Sequence, residues 1–114
     1  MKNTRPISWV KSAKKDFLEF PDDVQTDMLN ALTMAAEGVM PDHAKPFKGV
    51  SGGVFEIALR YRTDAFRVVY AVKIGEDIWV IHAFQKKSKT GIKTPQTDID
   101  IIHDRLKRLK EILK

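Results

Sequence analysis

The feature that most constrains this chain is a change in the period of its apolar residues. Ala13, Phe17 and Phe20 recur at helical spacing, Pro21-Asp22-Asp23 restarts the chain, and Val24, Met28, Leu29, Leu32, Ala35 and Ala36 continue on one helical side. Two packed helices are therefore expected, preceded by a short strand over 6–10 and stopped by Gly38. The stretch 40–53, rich in proline and glycine, reads as a loop. Three runs rich in β-branched and aromatic residues follow, over 54–60, 66–74 and 78–85. Gly75-Glu76 and Thr63-Asp64 are the expected two-residue turns between them. Thr94 then caps a last helix with Pro95 at its first position, and Ile99, Ile102, Leu106, Leu109 and Leu113 form its apolar stripe. The expected fold is α+β: a small antiparallel sheet packed on an N-terminal helical hairpin, with a C-terminal helix. One domain is expected over residues 1–114.

The chain carries 20 Lys and Arg against 15 Asp and Glu, a formal charge of +5, which favours a polyanionic partner without specifying a fold. It has no cysteine, so disulfide and thiolate chemistry are excluded. The first residues are charged with no apolar run behind them, and no apolar stretch is long enough to span a bilayer. A cytoplasmic protein that does not enter a membrane is expected.

Counting outward from the two expected turns gives a register. It sets Arg60 opposite Arg67 and Arg67 opposite Phe84, with Ala58, Val69 and His82 as the next row and Arg62, Ala65 and Lys86 at the rim. The other face would carry Phe55, Ile57, Leu59, Phe66, Val68, Tyr70, Trp79 and Ile81, an apolar surface that needs helices over it. Opposed arginines repel unless an anion lies between them, and a phosphate would serve. Between Asp77 and Asp98 the charges are all cationic: Lys86, Lys87, Lys89 and Lys93, with His82 among them. A lysine run alone is ordinarily a solvated face; beside paired arginines it reads as a path for an anion. A single bulge would turn one set of these side chains to the other face.

The histidines differ in promise. His103, between Ile99 and Leu106, reads as a packed or edge residue, and His43 has no evident partner. His82 falls on the basic face and titrates near neutrality, as an acid or base should, although a strand histidine is more often simply packed. Their spacings make no metal site, and no cofactor is expected.

The run Phe66-Arg67-Val68-Val69-Tyr70-Ala71-Val72, followed by Val80-Ile81-His82-Ala83-Phe84-Gln85-Lys86-Lys87-Ser88-Lys89 and continuing through Gly91-Ile92-Lys93-Thr94-Pro95, resembles the signature of RelE/ParE-superfamily toxins, in particular their phage-related HigB-like branch. The likeness covers most of the chain. It implies the toxin of a type II toxin–antitoxin system: a ribosome-associated endoribonuclease (mRNA interferase) that cuts mRNA without metal. The attacking group would be a ribose 2′-hydroxyl, leaving a cyclic phosphate and a free 5′-hydroxyl. Implied partners are the ribosome, mRNA and a cognate antitoxin, often a helix-turn-helix DNA-binding protein through which operator DNA would be reached.

The resemblance implies Arg67, from the family's R-x-x-Y strand, and Lys86 as catalytic cations, with Arg60 next as a phosphate ligand; the counted register adds His82 as a further catalytic candidate. Lys87, Lys89, Lys93 and Phe84 would meet RNA, Phe84 by stacking on a base. The chain departs from the best-studied members where lysines of the second long strand act as base, for Glu56 and Ala58 stand there, and Ile92 replaces a tyrosine. His82, Glu56 and Tyr70 are then the remaining proton carriers, Tyr70 being assigned to the core face. A ParE-like gyrase poison and a non-catalytic module that binds antitoxin or nucleic acid are the alternatives.

Overall fold

The computed structural model describes residues 4–50, 52–87 and 94–113. Among these, five strands form one sheet in the order β1-β5-β4-β3-β2, with two helices on one face and one on the other. The strands are β1 (Ile7–Trp9), β2 (Ala44–Pro46), β3 (Val54–Tyr61), β4 (Asp64–Ala71) and β5 (Ile78–Lys87). The helices are α1 (Lys11–Phe17), α2 (Asp22–Ala36) and α3 (Gln96–Ile112). All pairings are antiparallel except β1 with β5. The expected α+β architecture is observed, and part of the stretch expected as loop, Ala44–Pro46, forms an edge strand against β3.

The hairpin of α1 and α2 forms as its spacing requires. Ala13, Phe17, Val24, Met28 and Leu32 are buried, whereas Leu29 is exposed. The Gln25 side-chain amide donates to Leu18 O and Phe20 O, fastening the turn between the helices. Gly38, at φ 86°, ends α2 in the left-handed conformation that a side chain would strain. Beneath the hairpin lie Ile57, Phe66, Val68, Tyr70, Ile78, Val80 and Ala83. Rings run through this layer: Trp9 to Phe17, Phe17 to Phe20 and Phe20 to Phe66 have centroids 4.9, 5.5 and 4.9 Å apart. Each such buried side chain contributes about 1.5–3 kcal/mol of transfer free energy.

The other face holds Val54, Val69, Ala71, Ile81 and Phe84 under the stripe of α3, with Ile102, Leu106 and Leu109 buried. Leu113 ends the expected stripe exposed, and His103 is exposed rather than packed. Pro95 takes the N-cap position of α3, which has no side-chain cap; Thr94 instead turns its hydroxyl toward Glu56.

Two register details correct the expected geometry. The β3–β4 loop is Arg62-Thr63, not Thr63-Asp64, because Tyr61 pairs with Asp64 and Arg62 adopts φ 59°. Arg67 therefore faces Ala58 and Arg60 faces Ala65, so the two arginines are not opposed and Arg62 is not in the ladder. The β4–β5 connection spans 72–77 rather than two residues, fastened by the Arg5 guanidinium on Val72 O, Glu76 O and Asp77 O and by Ser8 on Asp77. A bulge follows: Val69 pairs with His82 but Tyr70 with Val80, leaving Ile81 as an extra residue. The bulge turns Ile81 and His82 to the same side, so Ile81 and Trp79 pack with α3, and Val80 fills the place expected of Ile81 under the hairpin.

Candidate active site

Among the described residues, four polar or charged side chains are buried: Glu56, Arg67, His82 and Lys86. All lie on the α3 face of the three long strands. Arg67 pairs with Phe84, and Lys86, two residues further along β5, pairs with Ala65, which places Lys86 diagonally beside Arg67. The bulge leaves this end of the β4–β5 ladder as the sequence predicts it, so the convergence of Arg67 and Lys86 is observed.

Arg67 finds its counter-charge within the fold. Its Nη1 donates to Glu56 Oε1 at 3.0 Å, both side chains being buried. Glu56 Oε1 also lies 3.9 Å from the exposed Lys45 Nζ, and Oε2 accepts a long 3.4 Å hydrogen bond from Thr94. An anion between two arginines is thus replaced by a carboxylate on the neighbouring strand. Lys86 Nζ is buried and makes no hydrogen bond to the described residues. Burial lowers its pKa first and nearby Arg67 second, with Glu56 and Asp98 opposing.

His82 is held at both ring nitrogens. Arg105 Nη1 lies 3.1 Å from Nδ1 and also donates to Ile81 O at 3.0 Å; Asp98 Oδ1 lies 2.8 Å from Nε2. Arginine only donates, so Nδ1 accepts and the proton resides on Nε2, donated to Asp98. Burial lowers the His82 pKa against the opposing pull of Asp98. This imidazole fastens α3 to β5, and neither nitrogen is open to a substrate. Phe84 is also buried, stacked on the His82 ring at 5.0 Å, so it presents no open face to a base. Tyr70 lies on the hairpin face as expected, stacked with Phe55 and pushed up to about 12 by burial.

Arg60 is exposed on the Arg67 side of the sheet, one row toward the hairpin tip. Lys87 closes β5 opposite Asp64, its side chain outside what is described. Lys89 and Lys93 lie outside the described residues, as does Ile92. A cavity of about 440 Å³ opens over Glu56 and Arg67, between Lys45, Phe47 and Lys48 on one side and Thr94 and Ile99 on the other. Sequence reading missed Lys45, Lys48 and Thr94 because only the short β2 strand and the approach to α3 carry them to the site. Asp98 was legible only as the acidic residue that closes the cationic window after Asp77. Among the described residues no group of three or more His, Cys, Asp or Glu could hold a metal ion, and no helix is long and apolar enough to cross a membrane.

The family model of phage-derived Gp49-like proteins matches residues 15–107. The chain belongs to this family. The Gp49-like proteins are a RelE/ParE-type toxin family, as the resemblance in β4 and β5 implied. A free-state structure of a double-arginine mutant of the Escherichia coli toxin RelE superposes on this Gp49-like chain with a TM-score of 0.61 and 17% identity, covering 92% of this chain and 97% of that one. The RelBE2 toxin–antitoxin complex of Mycobacterium tuberculosis matches with a TM-score of 0.52 and 12% identity over 78% of this chain and 98% of that one. At these identities the likeness is one of fold. No curated protein matches the sequence.

Proposed function

We propose that this Gp49-like chain is the toxin of a toxin–antitoxin pair and acts as a metal-independent endoribonuclease on mRNA at the ribosome. The observation that carries this reading is the pair of buried cations on one sheet face, Arg67 and Lys86, beside a cavity lined by further lysines. Cleavage would proceed by attack of a ribose 2′-oxygen on the adjacent phosphorus as the bond to the 5′-oxygen breaks. Charge grows on the phosphoryl oxygens, and a fixed guanidinium stabilises it without reorganisation. With both His82 nitrogens engaged and Tyr70 on the other face, Glu56 and Lys86 are the buried titratable groups beside Arg67. Glu56 takes the 2′-hydroxyl proton, and Lys86, a better acid than an ordinary lysine because its pKa is lowered, gives one to the departing 5′-oxygen. Arg60, Lys87, Lys89 and Lys93 act as further phosphate contacts.

The family and fold support a cognate antitoxin as partner; a cytoplasmic setting and a helix-turn-helix antitoxin belong to the same proposal. Arg67→Lys tests the mechanism while keeping a cation against Glu56. Primer extension on transcripts from induced cells should show new 5′ ends within translated codons for the native chain, and about a hundredfold fewer for the variant. Intact transcripts accompanied by DNA breaks would assign the chain to gyrase poisoning instead.

A further inference from the structure

The cavity over Arg67 extends past the residues assigned to bond cleavage, and its far walls have no role in that reaction. Lys45 and Lys48 stand on the β2 side, both exposed, and Lys48 makes no hydrogen bond or ion pair with the described residues. Three cations line the cavity against the single carboxylate of Glu56, which Arg67 already engages at 3.0 Å while Lys45 reaches it only at 3.9 Å. About 440 Å³ exceeds what a bare phosphate fills and falls in the usual size range of small-ligand sites. The walls are mixed, with Phe47 and Ile99 offering apolar surface beside the lysines. Arg67 itself lines this cavity, so there is room beside it for a nucleotide adjoining a phosphate bound there.

The edge here is built against an added peptide strand. Phe47 N–H bonds inward to Val54 O at 2.8 Å, so by the alternation of strand hydrogen bonds Pro46 sits where an N–H would point outward, and it has none. Outward cations and a missing donor suit a polyanion better than a pairing β-strand.

We infer that the cavity between β2 and the start of α3 is a nucleotide subsite for single-stranded RNA, in which Lys45 and Lys48 hold the phosphate next to the one on Arg67 and Phe47 and Ile99 flank its base or ribose. This inference rests on the endoribonuclease reading for the identity of the polymer. The subsite would fix which bond of the bound strand lies over Arg67.

The test is fluorescence anisotropy of the full chain with a labelled, uncleavable 2′-O-methyl oligoribonucleotide over a series of salt concentrations. The double variant Lys45→Ala, Lys48→Ala should bind about tenfold more weakly, and its log affinity against log salt should be flatter by about 1.4, near 0.7 for each lost phosphate contact. Phe47→Leu should weaken binding without altering the salt slope. Lys14→Ala with Lys15→Ala removes the same charge from exposed positions on α1, beyond the opposite sheet face, and should leave both quantities at native values. Native affinity in the β2 double variant, an equal loss in the α1 control, or no measurable binding by the native chain would overturn the subsite. RNA binding that depends on Lys45 and Lys48 in a chain that cuts no RNA would instead overturn the nuclease reading and leave the subsite standing.

Discussion

The two faces of the sheet have opposite characters. Under α1 and α2 the sheet meets linked aromatic rings and aliphatic side chains, with Tyr70 buried among them. Under α3 the same strands hold a carboxylate, a guanidinium, an imidazole and an amine, each less than a tenth exposed. Burying charge opposes folding unless each charge is matched, whereas apolar burial supports it. The first face therefore supplies stability that the second spends on an arrangement useful for chemistry. The pattern agrees with the rule that local conflicts with folding gather at functional sites.

Four variants test this division. Phe66→Ala removes a ring that contacts Phe20 and Tyr61 and should cost about 3–5 kcal/mol in denaturant unfolding; a loss below about 1 kcal/mol would deny the hairpin face its role. Glu56→Ala removes the carboxylate that faces the buried Arg67 guanidinium and should cost about 3 kcal/mol. Replacing the pair together, Glu56→Leu with Arg67→Met, should recover most of that stability and still abolish RNA cleavage; stability as poor as that of the single variant would show that packing, not charge, governs the position. Lys86→Met should raise unfolding stability by about 1 kcal/mol while removing cleavage, since a buried amine with its pKa lowered opposes folding.

The smallest effect expected is in pH dependence. His82 has a folded-state pKa below its unfolded value of about 6.5. On acidification the unfolded chain takes up this proton first, so the stability supplied by the neutral imidazole is whole above about pH 6.5 and declines as pH falls toward the lower folded value. The groups facing it are Asp98, Arg105 and, at longer range, Asp16. Thermal melts from pH 7.5 to 5 should show this decline in the native chain and a flatter profile in His82→Gln. Equal slopes would place the acid sensitivity elsewhere.

Much of the fold could be read from periodicity, because the helical and strand periods each mark a buried face over many residues. Phe17, Met28 and Leu32 under the hairpin and Ile102 and Leu106 along α3 follow that pattern directly. The rows containing Arg67, Phe84, Val69 and His82 were also legible, since the counted β4–β5 register holds up to the bulge. What was not legible depended on loop geometry. A two-residue shift in β3 leaves every side chain on its expected face yet exchanges the Arg67 neighbour, and no hydrophobic pattern senses an even-numbered slip. The partners of His82 and Glu56 are carried by α3, Thr94 and β2, distant in sequence, so their pairing emerges only from packing.

Ile81 gives β5 one residue more than β4 uses, and this makes side-chain orientation along the strand a matter of length. The halves before and after it run half a period out of phase. Deleting Ile81 would restore plain alternation and keep Trp79, His82, Phe84 and Lys86 all on the α3 face, whereas deleting a residue elsewhere in the strand with the bulge kept would turn the residues beyond it to the opposite face. Substitution scanning passes over such a feature, because no single identity encodes it. Variation in this family should accordingly tolerate many replacements along β5 but a change in its residue count only at the bulge.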